Sequence, residues 1–195
     1  ILKLLEPSMG EIKYNGSKIN TVNCNEYWKQ FSSVFQDYSK YKDSLRYNVS
    51  ISDVNDRLNN ARIEKALSEV EFYKDIDIDC MLSKEFGGIE LSGGEWQKIA
   101  LARVIFQSNS IFILDEPTSA IDPIKEAELY KRFAEITKGK TSIFVTHRLG
   151  SVLYSDLVLF FQNGEIVEAG THDDLLLNKG RYYEFWNTQL SLYNK

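Results

Sequence analysis

Two nearby stretches of the chain carry the residues best suited to chemistry. In the first, Leu91, Ser92, Gly93, Gly94, Glu95, Trp96 and Gln97 run into Lys98, Ile99, Ala100, Leu101, Ala102 and Arg103. Paired glycines let a backbone turn and let another group come close. The first turn of a helix behind them leaves amide N–H groups without internal partners, so an anion such as a phosphate fits there. Ser92 and Glu95 also have the spacing of a capping box, which alone makes this a well-capped helix start with Ile99, Ala102, Ile105 and Phe106 as its buried face. In the second stretch the apolar run Ile111, Phe112, Ile113, Leu114 ends abruptly in Asp115, Glu116 and Pro117. Two carboxylates at the carboxyl end of a buried strand are costly unless a cation or a substrate uses them.

Together the two stretches resemble the signature motif and the Walker B strand of the ATP-binding-cassette (ABC) transporter nucleotide-binding domains, and the resemblance extends over essentially the whole chain. It implies an α/β fold: a P-loop NTPase-like, mostly parallel sheet, an antiparallel β subdomain, and an inserted helical subdomain at about residues 42–108. The 195 residues would then be a single truncated nucleotide-binding domain, of exporter type from the pattern of residues 164–176 and 180–183.

The resemblance also implies site residues, with ATP and Mg²⁺ as the groups they handle. Gln36 follows the short strand pattern Ser32, Ser33, Val34, Phe35 and matches the Q-loop, whose amide oxygen reaches Mg²⁺ or a water. Asp115 would hold Mg²⁺ through water, since that ion favours carboxylate and water oxygens. Glu116 would be the general base, a role worth about 10² to 10⁴ in rate. His147 matches the H-loop histidine, which contacts the γ-phosphate and holds the attacking water. Ser92, Gly93 and Gly94 would touch a nucleotide held by a second nucleotide-binding domain in a head-to-tail homo- or heterodimer, and Asp122 falls in the D-loop. The fifth signature position is usually Gln and here is Glu95. A carboxylate aimed at a phosphate would repel it, so Glu95 is expected to turn back onto the Ser92 backbone.

Several elements must position these groups. Asn15-Gly16 and Asn163-Gly164 each mark a hairpin. Residues 1–5 are amphipathic and read as the tail of a helix that starts earlier, ended by Glu6 and Pro7. Ile63, Ala66, Leu67 and Val70 recur at helix spacing within the strand-poor residues 44–86. Lys84, Glu85, Phe86, Gly87 and Gly88 resemble the exporter stretch that senses the partner's intracellular loops. Asp122 and Pro123 also suit the N-cap and first position of a helix that buries Leu129, Phe133 and Ile136 and ends at Gly139. Residues 141–145 have a buried-strand pattern with His147 just past the carboxyl end, the edge where ligands gather in open α/β sheets. His172, in a Thr171 to Asp174 capping setting, reads as structural. A terminal helix over residues 181–193 offers Tyr183, Phe185, Trp186 and Leu190 for packing.

Net charge is −5 with both signs interspersed, so no nucleic-acid footprint is expected. A DNA-linked cassette would also need long heptad helices, which the sequence lacks. No apolar run approaches the roughly 18 residues needed to span a bilayer, and no signal-peptide pattern opens the chain. A soluble piece at the cytoplasmic face of the cell membrane is expected, its transmembrane domain fused upstream. Cys24 and Cys80 have no metal-ligand spacing and read as reduced bystanders, although a pair close in space stays open. The family's phosphate loop, G-x-x-x-x-G-K-S/T, occurs nowhere in these residues. The parent polypeptide is therefore expected to be the ATPase of an exporter, and the chain by itself to be inactive. The alternative is a cassette fragment that only docks to a partner.

Overall fold

The computed structural model describes residues 1–116 and 123–193. The chain divides into two compact units: Ile1–Pro117 with Gly139–Ile143, and Thr118–Lys138 with Phe144–Lys195.

In the first unit, β1 (Lys13–Tyr14) and β2 (Ser17–Lys18) form the hairpin, with Lys13 opposite Lys18 and Tyr14 opposite Ser17. Its two-residue loop needs left-handed backbone at both positions. Asn15 (φ 48°) and Gly16 (φ 79°) supply it. The hairpin lies on a small core of Ile19, Tyr27, Phe31 and Ile113. Tyr27 comes from α1 (Cys24–Trp28), whose N-cap Asn23 accepts from two first-turn amides.

β3 (Phe31–Val34) pairs in parallel with β4 (Ile111–Asp115), in register from Phe31 opposite Ile111 to Val34 opposite Leu114. β5 (Thr141–Val145) completes the order β3-β4-β5. The apolar centre of β4 is buried, with Phe112 and Leu114 at 0% exposure. β5 does not have the buried character expected of it: Thr141 and Val145 are exposed and its centre is half-buried. Among the described residues β5 ends the strand order, so a neighbouring strand covers it on one side only.

Helices α2 (Leu45–Ser50), α3 (Asn60–Glu69) and α4 (Gly93–Gln107) pack on one another in this unit. The periodic set Ile63, Ala66, Leu67 and Val70 is buried as the spacing predicts. Helix α4 differs from its expected single face. Ile99, Ala102 and Phe106 are buried, Ile105 only half, and Trp96, Ala100, Leu101 and Val104 are buried as well. A helix apolar on most sides is a core helix. Arg62 ties α3 to its far end: the guanidinium donates to the Phe106 carbonyl, lies 4.5 Å from that ring, and pairs with Asp53 and Asp56.

Residues 1–5 are not helical. Lys3 is left-handed (φ 58°) and its ammonium donates to the Val22 carbonyl, while Tyr27 Oη and Trp28 Nε1 donate to the carbonyls of Ile1 and Leu2. These tertiary bonds accompany the non-helical backbone of residues 1–3. Just ahead of α4, Ile89 N–H donates to the Met81 carbonyl. A Cβ on Gly88 would stand 1.8 Å from that oxygen, so this loop closes only around glycine.

In the second unit, α5 (Pro123–Ile136) buries Leu129, Tyr130 and Phe133, and Tyr130 meets Phe144 edge-on at 5.6 Å. Gly139 follows in left-handed backbone (φ 79°), as a helix stop requires. β6 (Val158–Gln162) and β7 (Glu165–Gly170) form the second hairpin around Asn163 and Gly164. α6 (His172–Asn178) and α7 (Arg181–Tyr193) follow. The buried aromatic of α7 is Tyr182, at 2% exposure, while Tyr183, Phe185 and Trp186 are half-buried and Leu190 is 38% exposed. Burial pushes the Tyr182 hydroxyl up to about 12, and it shares a 2.7 Å hydrogen bond with His172 Nδ1. With Trp186 4.3 Å away as well, His172 has the structural role its sequence setting suggests.

Among the described residues no helix is long and apolar enough to cross a membrane. Cys24 and Cys80 are both free thiols.

Candidate functional site

The parallel register brings three of the expected residues to one edge. With Val34 opposite Leu114, the positions that follow lie at one end of the sheet: Phe35 and Gln36 after β3, and Asp115, the last residue of β4, with Glu116 after it. Gln36 is exposed and the two carboxylates are half-buried. Glu116 has left-handed backbone (φ 45°), a conformation that costs a non-glycine residue on the order of 1–2 kcal/mol. Strain of this kind concentrates at functional sites, and here it marks the point where the chain leaves a buried strand. The donors on this edge are all oxygen, which suits Mg²⁺. That ion keeps several waters and phosphate oxygens, so it does not require a cluster of three protein ligands. No such His, Cys, Asp or Glu cluster occurs among the described residues.

Ser92, Gly93 and Gly94 form the head of α4. Ser92 is the N-cap, its hydroxyl accepting from the Glu95 N–H at 3.3 Å, and Glu95 Oε2 accepts from the Ser92 N–H at 2.7 Å. Glu95 therefore turns back onto Ser92, as the charge argument requires. The amides of Gly93 and Gly94 head the helix, where no preceding helical carbonyl exists to take them.

The sequence reading missed a cation here. Lys74 Nζ lies 2.8 Å from Glu95 Oε1. The Lys74 hydrogen bond, with the Ser92 bonds adding to it against burial, holds the Glu95 carboxyl below the ordinary carboxylate value. The stabilisation is therefore complete above about pH 4.5, the ordinary value, and is lost as pH falls through the lowered folded value. Denaturant unfolding from pH 6 to 3 is expected to show a smaller loss of stability in Glu95→Gln than in the parent. Equal losses would remove Glu95 from the acid transition.

Two further contacts join the Gln36 segment to α4, and neither was found in the sequence. Tyr38 Oη donates to the Gly93 carbonyl at 3.2 Å. Arg103, nearly three turns further along the helix, donates to the Ser39 carbonyl at 2.7 Å and to the Asn48 carbonyl at 2.6 Å. Burial pushes the Arg103 guanidinium down and the Tyr38 hydroxyl up. The one available hint was an arginine set among Leu101, Ala102 and Val104 in an otherwise apolar helix.

His147 belongs to the second unit. It is exposed, just beyond β5, in a turn where Arg148 N–H donates to Thr146 Oγ1 at 2.9 Å. Asp122 lies outside the described residues.

A parallel β-sheet with carboxylates on its strand ends and a capped Gly-Gly helix start define an α/β domain of the P-loop NTPase kind. A family model described as "ABC transporter" matches residues 1–119, and the chain belongs to the ABC transporter family. It is similar to the nisin transport ATP-binding protein NisT of Lactococcus lactis subsp. lactis, with 35% identity over 93% of this chain and 31% of that protein. It is 38% identical to the subtilin transport ATP-binding protein SpaT of Bacillus subtilis, over 89% of this chain and 29% of that one. The solved structure of a bacterial Atm1-family ABC exporter with ATP bound matches with a TM-score of 0.85 and 26% identity, over 96% of this chain and 33% of the other. The chain is thus an ATP-binding domain homologous to those of exporters, and it spans about a third of the length of these relatives.

Proposed function

We propose that this chain is the ATP-hydrolysing motor of a longer exporter polypeptide, working at the cytoplasmic face of a membrane. It closes head to tail with a second nucleotide-binding domain and is driven apart by hydrolysis. The observation that supports the reading is the parallel register of β3 and β4, in which Val34 opposite Leu114 is followed on one strand by Gln36 and on the other by Asp115 and Glu116. The two carboxylates and the amide oxygen suit Mg²⁺, with Asp115 and Gln36 as its holders. Bound there, the ion would neutralise charge on the phosphate oxygens. Glu116 takes the proton of the attacking water, and His147 is a candidate γ-phosphate contact. Ser92, Gly93 and Gly94 offer the head of α4 to the nucleotide of the opposite domain. Asp122, which falls in the D-loop by resemblance, is a further candidate nucleotide-binding residue.

Residues 84–88, where Phe86 is 59% exposed, form part of the face that docks the transmembrane partner. These 195 residues hold no G-x-x-x-x-G-K-S/T loop, so by themselves they lack the cradle that would retain the phosphates. ATP hydrolysis therefore requires a polypeptide that supplies it. The test is Mg²⁺-dependent ATP hydrolysis by the natural polypeptide purified from its source, with its coding sequence read upstream of Ile1. Turnover that disappears on chelation of Mg²⁺, with a phosphate loop encoded upstream, is the expected result. No hydrolysis, in a polypeptide that starts at Ile1, overturns the motor reading in favour of a docking-only cassette.

A further inference from the structure

Glu95 poses an electrostatic problem for a helix start offered to a phosphate. Its Oε2 is taken up by the cap, accepting from Ser92 N–H at 2.7 Å and from Ser92 Oγ at 3.0 Å. Oε1 remains, beside the helix end that the proposed function gives to an anion, and an unscreened carboxylate there would oppose it. Lys98, one turn further on, donates to the Glu71 carbonyl at 2.8 Å. Lys74 is the cation within ion-pair distance of Glu95 among the described residues.

Lys74 is also held in place from its own side. The chain turns out of α3 through Glu71 in left-handed backbone (φ 56°), and the buried Phe72 (7% exposed) donates its N–H to the Leu67 carbonyl. Ile76 N–H then donates to the Lys74 carbonyl at 2.9 Å. The ammonium is thus delivered by an anchored segment, and the side chains of the pair keep only 34% and 29% of their surface.

We propose that Lys74 is a positioning residue for the signature motif: it neutralises Glu95 and holds its carboxylate on the Ser92 cap, so that Lys74 and Glu95 together stand in for a neutral side chain at that position. The inference rests on the nucleotide-binding reading above. It makes the effect of losing Lys74 conditional on the charge at residue 95. A merely structural lysine would lack that dependence.

The experiment is a double-mutant cycle in the natural polypeptide: parent, Lys74→Ala, Glu95→Gln and the double variant, with Lys74→Arg as the conservative control. Affinity for the Mg²⁺ complex of adenylyl imidodiphosphate is measured at low salt and at 1 M salt, beside thermal unfolding without nucleotide. Lys74→Ala is expected to weaken binding about tenfold at low salt and less at 1 M, where the Debye length is about 3 Å. In the Glu95→Gln background the same change is expected to do nothing, and Lys74→Arg is expected to bind as the parent does. Equal losses in both backgrounds, or no loss in either, overturn the assignment of Lys74 while a parent that binds leaves the nucleotide reading intact. A parent that does not bind the analogue overturns both.

Discussion

Changing Glu116 to Gln in the natural polypeptide is expected to cut ATP turnover by about 10²- to 10⁴-fold while Mg·ATP stays bound and the closed dimer is favoured. Gln keeps the size and one oxygen of the side chain and loses only the ability to accept a proton. The backbone at this position is left-handed (φ 45°), and Gln tolerates that no worse than Glu does. The variant therefore isolates proton acceptance from geometry, which a change to Ala would not. Asp115, its neighbour at the end of β4 and the proposed holder of the ion, is left in place, so nucleotide affinity should stay within a few-fold of the parent. Single-turnover hydrolysis and size analysis with Mg·ATP read both halves of the expectation. Turnover at the parent rate would remove Glu116 as the base. Lost turnover together with lost binding would make its role one of holding the nucleotide.

Much of this site was legible because it depends on local chemistry. A strand that ends in Asp115 and Glu116 announces its polar edge, two Asn-Gly pairs announce hairpins, and the Ser92 to Glu95 spacing announces a cap. Each of these is decided within a few residues, and each is found in the structure. What was not legible depends on pairings across long stretches of chain. Lys74 meets Glu95 across 21 positions and Arg103 meets Ser39 across 64, and no periodicity encodes either contact. The exposure of β5 is of the same kind, since a run of apolar residues does not reveal how many neighbours its strand has. The left-handed Glu116 is a further case, because intrinsic preference argues against it and tertiary structure imposes it.

The second large effect is expected at Arg103. Changing it to Met should lower the unfolding free energy by roughly 2–4 kcal/mol, because it removes three hydrogen bonds with a charged donor from a poorly hydrated site. Nε and Nη2 go to the carbonyl and side-chain oxygens of Asn48, at 2.6 and 3.0 Å, and Nη1 goes to the Ser39 carbonyl at 2.7 Å. Asn48 is itself fully buried, and its amide donates to the Tyr41 carbonyl at 2.9 Å, so one guanidinium completes a network that spans the Gln36 segment, α2 and α4. The guanidinium also lies 5.2 Å from the Tyr41 ring. Met fills similar apolar space but takes the guanidinium donor from the Asn48 and Ser39 carbonyls and leaves Asn48 Oδ1 with the Tyr41 N–H. Lys keeps the charge and cannot reproduce the fork, so Arg103→Lys should fall between Met and the parent. Denaturant unfolding of the three proteins orders them, and a Met variant within about 0.5 kcal/mol of the parent would show that the network adds nothing. Ser39 and Tyr41 lie a few residues after Gln36, and α4 begins at the Gly-Gly start, so the same bonds fix one candidate phosphate-facing element relative to the other. A Met variant that folds should therefore lose turnover beyond what its nucleotide affinity explains, because the two elements would no longer be held in one arrangement.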